Sequence, residues 1–205
     1  MNWASMNADQ ASQWAEWLWM VLCGVWLVMW FSAKSVKKRE SPLERVQHLI
    51  PLILGFWLLF EKNWKGLDVR LLPDTPAAWW LGLALTAGGV AISIWARLSL
   101  GTNWSGVVTL KDNHELVRKG LYRWIRHPIY TGLLLAMIGT AMIRGHLRGW
   151  LGFLLVLAAY YFKARREEGF LRQEFGEAFE EHARHTGMFF PKWTSDVADA
   201  GNSAR

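Results

Sequence analysis

Apolar and polar positions along this chain fall into long alternating blocks, not the short periods of a soluble fold. Two runs, WAEWLWMVLCGVWLVMWFS at 14–32 and AAWWLGLALTAGGVAISIW at 77–95, reach the roughly 17 to 25 residues that a bilayer-crossing helix needs. Three more, at 46–60, 129–143 and 150–162, are shorter, which suits tilted, re-entrant or locally thinning segments. The pattern predicts an all-α, integral membrane helical bundle of about five transmembrane helices, at about 14–32, 46–60, 77–98, 128–143 and 150–163. The last two form a hairpin around RGHLRG. Beyond them Phe170, Leu171, Phe175 and Phe179 recur at helical intervals among charges, predicting an amphipathic cytoplasmic helix over about 164–185. Residues 1–193 then make a single membrane domain, and 194–205 a flexible tail. In the third helix Gly82, Thr86, Gly89 and Ser93 put small residues on one face, a pattern for close helix packing.

Charge orients this arrangement. The segments 34–45, 97–128 and 163 onward carry five, six and seven of the 23 Lys and Arg residues, and the intervening loops carry only Lys62, Lys65, Arg70, Arg144 and Arg148. Basic loops stay in the cytoplasm, so the N-terminus is expected outside and the C-terminus in the cytoplasm. With 52% hydrophobic residues, 15 Trp and a net charge of +6, the basic excess fits anionic lipid headgroups and topology, not nucleic acid. No Lys or Arg precedes the first apolar run, so that run reads as a retained helix and not a signal peptide. Cys23 is the sole cysteine, so no intrachain disulfide or cysteine metal site exists, and the histidines show no metal-ligand spacing.

The polar groups concentrate in HELVRKGLYRWIRHPIY (114–130) and ARREEGFLRQEFG (164–176). Pro128 is suited to the first turn of a helix, which sets Arg126 and His127 at its mouth and Tyr130 within its first turn. Taken singly, each has an ordinary explanation. Arginines snorkel at helix ends, Tyr and Trp line interfaces, and Glu168 can pair with Arg172 or Arg165 on a solvated helix face. No P-loop, GxGxxG or nucleophile elbow is present.

Together, NWSGVV (103–108), HELV (114–117), GLYRWIRHPIYTG (120–132) and REEGFLRQEFG (166–176) resemble, in order and near spacing, the isoprenylcysteine carboxyl methyltransferase family of integral membrane enzymes. The resemblance covers about residues 97–193. It implies an S-adenosylmethionine-dependent methyltransferase, with S-adenosylhomocysteine as product, acting at the cytoplasmic face on a lipophilic acceptor. It implies a cofactor pocket lined by His114, Glu115, Leu116, Val117, Tyr122, His127, Pro128, Ile129 and Tyr130, with Glu167 or Glu168 on the cofactor's polar end. Arg126 and Glu168 are the implied catalytic residues, Arg126 orienting the acceptor. No metal is implied. Phe179 and His182 stand where relatives often carry tyrosines, and the longer N-terminal helices of the eukaryotic enzymes are absent.

The chemistry of the residues agrees with that implication. A cationic sulfonium joined to an amino acid, a ribose diol and an aromatic base needs carboxylates and aromatic surfaces, and in-line methyl transfer needs alignment without a covalent nucleophile. A carboxylate acceptor is already ionised at neutral pH and suits a guanidinium, whereas an amine must first lose a proton. The competing readings are phospholipid-type N-methylation, a sterol-reductase-like enzyme using NADPH, and a non-catalytic membrane scaffold or transporter. The acceptor, the oligomeric state and the choice between Glu167 and Glu168 stay open at this level.

Overall fold

The computed structural model describes residues 6–30, 36–39, 42–61, 67–101, 109–111 and 116–192. His114, Glu115, the NWSGVV stretch and the tail at 194–205 lie outside the described residues. Six α-helices follow in order: α1 Ala8–Trp30, α2 Pro42–Phe60, α3 Pro76–Leu100, α4 Pro128–Arg144, α5 Leu147–Phe175 and α6 Glu177–His185. Short strands β1, Val36–Arg39, and β2, Thr109–Lys111, pair antiparallel, with Val36 opposite Lys111 and Arg39 opposite Thr109. That pairing joins two basic stretches expected only as loops.

Each boundary has a local cause. Thr75 caps α3 by accepting from the Ala78 N–H, with Pro76 at its first turn. Pro128 begins α4, and Gly145 ends it in the left-handed region. The fifth helix differs from expectation. It does not stop near residue 163 but runs unbroken for 29 residues, because the Ala-Arg-Arg-Glu-Glu stretch loses hydropathy without losing helix propensity. The break comes at Gly176, whose φ of 50° a side chain would strain, and α6 starts there.

The core is the packing of α4 on α3. Gly82, Thr86, Gly89 and Ser93 are all buried in this contact, and a Cβ at Gly89 would collide with the Gly132 carbonyl oxygen. Backbones this close leave no room for larger residues. Thr86 donates to the Gly82 carbonyl at 2.9 Å, and Trp19 from α1 donates to Thr140 at 3.0 Å. Among the described residues one helix, α3, is long and apolar enough to cross a membrane. Val46–Phe60 and Pro128–Arg144 are apolar but shorter. The outer faces of α1 and α2 leave Leu27, Val28, Ile50 and Ile53 exposed, an apolar surface of the kind that contacts lipid or a partner.

α4 runs antiparallel to α3 and α5, and α2 to α5, while α1 runs parallel to α3, so the bundle has two polar ends. One gathers the ends of α1 and α3 with the start of α4 and the polar half of α5. There Arg97, fully buried, bonds the Met29 carbonyl at 2.8 Å and the Gly101 carbonyl at 2.7 Å, tying α1 to α3. At the other end Arg144 pairs with Glu16 at 2.8 Å, Arg148 with Asp68 at 3.2 Å and Arg70 with Asp74 at 2.9 Å. The backbone of Leu71 and Leu72 donates to the Gly145 carbonyl, clasping the α4–α5 turn.

Candidate active site

The site begins with a turn. Gly120, at φ 60°, opens a 3-10 turn that closes at Trp124, after which residues 125–127 lead to Pro128. This piece is paired in parallel with the segment after α6. Arg126 N–H donates to the Gly187 carbonyl at 2.9 Å, His127 N–H to Met188 at 3.1 Å, and Gly187 N–H to Trp124 at 3.1 Å. Thr131 adds a side-chain bond to the Phe189 carbonyl at 2.7 Å. The chain after α6 is thereby strapped across the mouth of α4, and Phe189, 8% exposed, sets its ring edge against His127 and Tyr130.

From the other side α5 presents Tyr160, Lys163, Ala164, Glu167 and Glu168 at intervals of three and four, one helical face turned to α4. Tyr130 stacks on Tyr160 with ring centroids 4.6 Å apart and donates to Glu167 Oε1 at 2.7 Å. Arg126 Nε donates to Glu168 Oε1 at 2.7 Å. The His127 ring lies between the two acids, Nδ1 3.4 Å from Glu167 Oε2 and Nε2 3.4 Å from Glu168 Oε1, and Nε2 lacks the alignment of a hydrogen bond. Lys163 Nζ stands 3.8 Å from Glu167 Oε1.

This crowding sets the protonation states. Burial works to raise the Glu168 carboxyl, but the His127 and Arg126 contacts outweigh it and hold the group at about 2. Glu167 is lowered for the same reason, its burial opposed by His127, Lys163 and Tyr130. Burial alone would lower the His127 imidazole, yet the two carboxylates raise it above its ordinary 6.5. Burial first, and then the charge of Glu167, push the Tyr122 phenol up. The result is two carboxylates held ionised around an imidazole whose protonated form they stabilise.

Of the residues expected from sequence, Arg126, His127, Tyr130, Glu167 and Glu168 form one contact network. Pro128 is buried beside it. Tyr122 and Ile129 are buried in an adjoining apolar cluster with Ala96, against which Val117 packs. Leu116 is half-buried. Arg126 has more partners than an acceptor clamp requires: besides Glu168, its Nη1 donates to the carbonyls of Thr186 and Ala183. Glu168 does approach Arg172, at 3.6 Å, but with 1% of its side chain exposed it is no solvated face. Phe179, in place of a tyrosine, is buried under the Arg172 guanidinium. Lys163, Tyr160 and Phe189 were missed. Lys163 and Tyr160 were hidden at the end of an apolar run, although their spacing of four and seven before Glu167 was a readable signal.

The chain is similar to several known proteins. Residues 77–178 match the model of a family described as phospholipid methyltransferase. A probable protein-S-isoprenylcysteine O-methyltransferase of Oryza sativa subsp. indica is 34% identical over 131 residues, covering 60% of this chain and 69% of that protein. The protein-S-isoprenylcysteine O-methyltransferase of Xenopus laevis is 31% identical over 147 residues, covering 68% of this chain and 49% of that enzyme. A solved eukaryotic intramembrane isoprenylcysteine carboxyl methyltransferase shares 25% identity, covers 76% of this chain and 54% of its own, and superposes with a TM-score of 0.48.

Proposed function

The chain belongs to the isoprenylcysteine carboxyl methyltransferase family and is a methyltransferase of membranes, and from that premise we propose that it uses S-adenosylmethionine to methylate the carboxylate of a lipophilic acceptor. Its relatives in rice and frog carry the name of O-methyltransferases acting on isoprenylcysteine, and the same acceptor class is proposed here. Residues 1–193 act in this reading as one membrane domain of five spans, with N-terminus outside, C-terminus in the cytoplasm and the site at the cytoplasmic interface. A water-soluble donor and a lipid-soluble acceptor then reach it from different phases.

The donor set fits the cofactor. Two ionised carboxylates, a buried imidazole Nε2 with no aligned hydrogen-bond partner and the aromatic surfaces of Tyr130, Tyr122 and Phe189 match an ammonium, a ribose diol and adenine. Glu167 and Glu168 would hold the polar end, and Tyr122, Tyr130, Leu116 and Val117 the adenosine, joined by His114 and Glu115 through the family resemblance. When bound, S-adenosylmethionine supplies a methyl group on a cationic sulfonium, open to in-line displacement. The protein's own part is alignment and exclusion of water. The strap and Phe189 cover one side, the Tyr130–Tyr160 stack another, and Arg126 fixes Glu168 and the strap in register.

One observation supports the choice of a carboxylate: both ring nitrogens of His127 face glutamates, Nδ1 3.4 Å from Glu167 and Nε2 3.4 Å from Glu168, and not an acceptor from which a proton would be taken. An amine would need a base, and an ionised carboxylate needs none. Incubation of the purified enzyme with methyl-labelled S-adenosylmethionine and a lipid extract tests this. The expected product releases its label as volatile methanol in mild base; a base-stable label would establish N-methylation instead.

A further inference from the structure

We infer that the Tyr160 hydroxyl donates a hydrogen bond to the carboxylate of the lipophilic acceptor, an assignment that rests on the O-methylation reading above. Tyr160 sits on the face of α5 that carries Glu167 and Glu168, seven residues before the first of them. That spacing is two helical turns, or about 10 Å along the axis toward the apolar half of the helix. Its ring stacks on Tyr130 with centroids 4.6 Å apart and planes 8° from parallel. The residue is 6% exposed and belongs to the apolar cluster that holds Met137, Val156 and Phe189.

Stacking accounts for the ring and not for the hydroxyl. A phenylalanine would stack as well and bury no polar atom, and a buried phenol ordinarily finds a partner. Tyr130 shows the usual case, since its hydroxyl donates to Glu167 Oε1 at 2.7 Å. The Tyr160 hydroxyl makes no hydrogen bond among the described residues. Arg126, the obvious alternative, is engaged within the protein, its Nε on Glu168 and its Nη1 on the carbonyls of Ala183 and Thr186. A buried hydroxyl left unpaired destabilises the free protein, and an arriving hydrogen-bond acceptor removes that penalty.

Position decides which ligand supplies it. The water-soluble methyl donor is assigned to Glu167 and Glu168 at the polar end. Tyr160 lies two turns deeper, next to Tyr161 and Phe162, which are 45% and 61% exposed on the outer face where lipid is expected. An acceptor whose tail lies in lipid brings its carboxylate to this depth from the membrane side.

The step served forms a bond between one carboxylate oxygen and the methyl carbon and breaks the bond from that carbon to sulfur. The sulfur keeps the electron pair, and the Tyr160 proton stays on its own oxygen. A single neutral hydroxyl holds one carboxylate oxygen and leaves the other poorly solvated and free to attack. A hydrogen bond to an ionised group is also stronger than one to a neutral carbonyl, so Tyr160 favours the acid over its methyl ester, substrate over product.

The test uses the full chain with N-acetyl-S-farnesyl-L-cysteine as acceptor. It compares wild type with Tyr160→Phe, which keeps the stack, and with Tyr161→Phe, which removes a hydroxyl from the exposed neighbour. Tyr160→Phe raises the acceptor KM by about tenfold and narrows the preference for acid over methyl ester in competition, and Tyr161→Phe changes neither. Affinity for S-adenosylhomocysteine, measured by calorimetry, stays within about twofold in Tyr160→Phe, because no contact to the methyl donor is removed. The unfolding temperature of ligand-free Tyr160→Phe does not fall, because the hydroxyl had no protein partner to lose. An unchanged acceptor KM in Tyr160→Phe, an equal rise in Tyr161→Phe, a parallel loss of S-adenosylhomocysteine affinity or a fall in unfolding temperature overturns the assignment while wild type still makes a base-labile ester. No base-labile product with wild type overturns the O-methylation reading itself, and the assignment with it.

Discussion

The two ends of the bundle are built from the same residue types and behave differently. Opposite the site, the cations meet acids near the surface: Arg144 with Glu16, Arg70 with Asp74, and Arg148 and His146 together with Asp68, at 3.2 and 3.3 Å. Those acids reach solvent, with Glu16 30%, Asp68 46% and Asp74 48% exposed. At the site the order is reversed. Glu168 is 1% exposed and shared by Arg126, His127 and Arg172, while Glu167 faces His127, Tyr130 and Lys163. Exposed acids in pairs make clasps that hold helix ends. An acid as deeply buried as Glu168, shared among several donors, keeps a fixed charge in a dry place, which is the condition for binding a charged ligand and controlling its reaction.

Glu168→Gln should separate the ends most strongly. It leaves Arg126 and His127 facing a neutral amide, and breaking a buried pair of this kind costs about 3 to 5 kcal/mol. Methyl transfer per folded molecule should fall by about a hundredfold or more, because the group assigned to the cofactor's polar end is gone. Asp68→Asn at the opposite end should cost about 1 kcal/mol with no change in turnover, because Asp68 itself is 46% exposed to solvent. Thermal unfolding in detergent and initial rates measure both. Equal losses at the two ends would erase the contrast.

Next in size is the response to pH. Glu168 lies at about 2 when folded against an ordinary 4.5, so its stabilisation is complete above 4.5 and is lost as pH falls from there toward 2. Glu167, also lowered, acts in the same direction. His127 is raised above 6.5, so its contribution is complete below 6.5 and is lost as pH rises through its folded value. Unfolding temperature plotted against pH should therefore decline on both flanks. Glu168→Gln should flatten the acid flank and His127→Gln the alkaline one. A profile unaltered by either substitution would show that these charges are not coupled to folding.

Smaller effects sharpen the opposite end. Arg144→Met removes the Glu16 pair but fills the space with an apolar chain, so the loss should be about 1 to 2 kcal/mol, with acceptor and cofactor affinities unchanged. Least of all, Arg123→Ala removes a guanidinium 4.3 Å above the exposed Trp124 ring and should cost about 0.5 kcal/mol. A large kinetic effect at either position would place chemistry where none is assigned.

The sequence made some of this legible for physical reasons. Long apolar blocks announce helices, Pro128 marks a helix start, and the small residues of α3 mark its packing face, because each is a local property of one segment. The family resemblance carried by RHPIY and REEGF likewise put Arg126, His127, Tyr130, Glu167 and Glu168 in one expected pocket. What was hidden depends on long-range pairing. Arg126 looked like a hand held out to a substrate, because the strap at 186–189 that takes hold of it lies sixty residues away and has no motif. The continuity of α5 was masked by a drop in hydropathy that changes solvation and not backbone geometry. Lys163 was lost for the same reason, being the last residue of an apolar run and the first of a polar one.

The central claim is that the buried glutamates at one end bind the methyl donor, and calorimetric titration of the purified enzyme with S-adenosylhomocysteine addresses it directly. The expected result is one site in wild type, weakened about tenfold or more by Glu167→Gln or Glu168→Gln in protein that remains folded, and unaltered by Asp68→Asn. Equal affinity in the glutamate variants, or selective binding of NADPH instead, would contradict it.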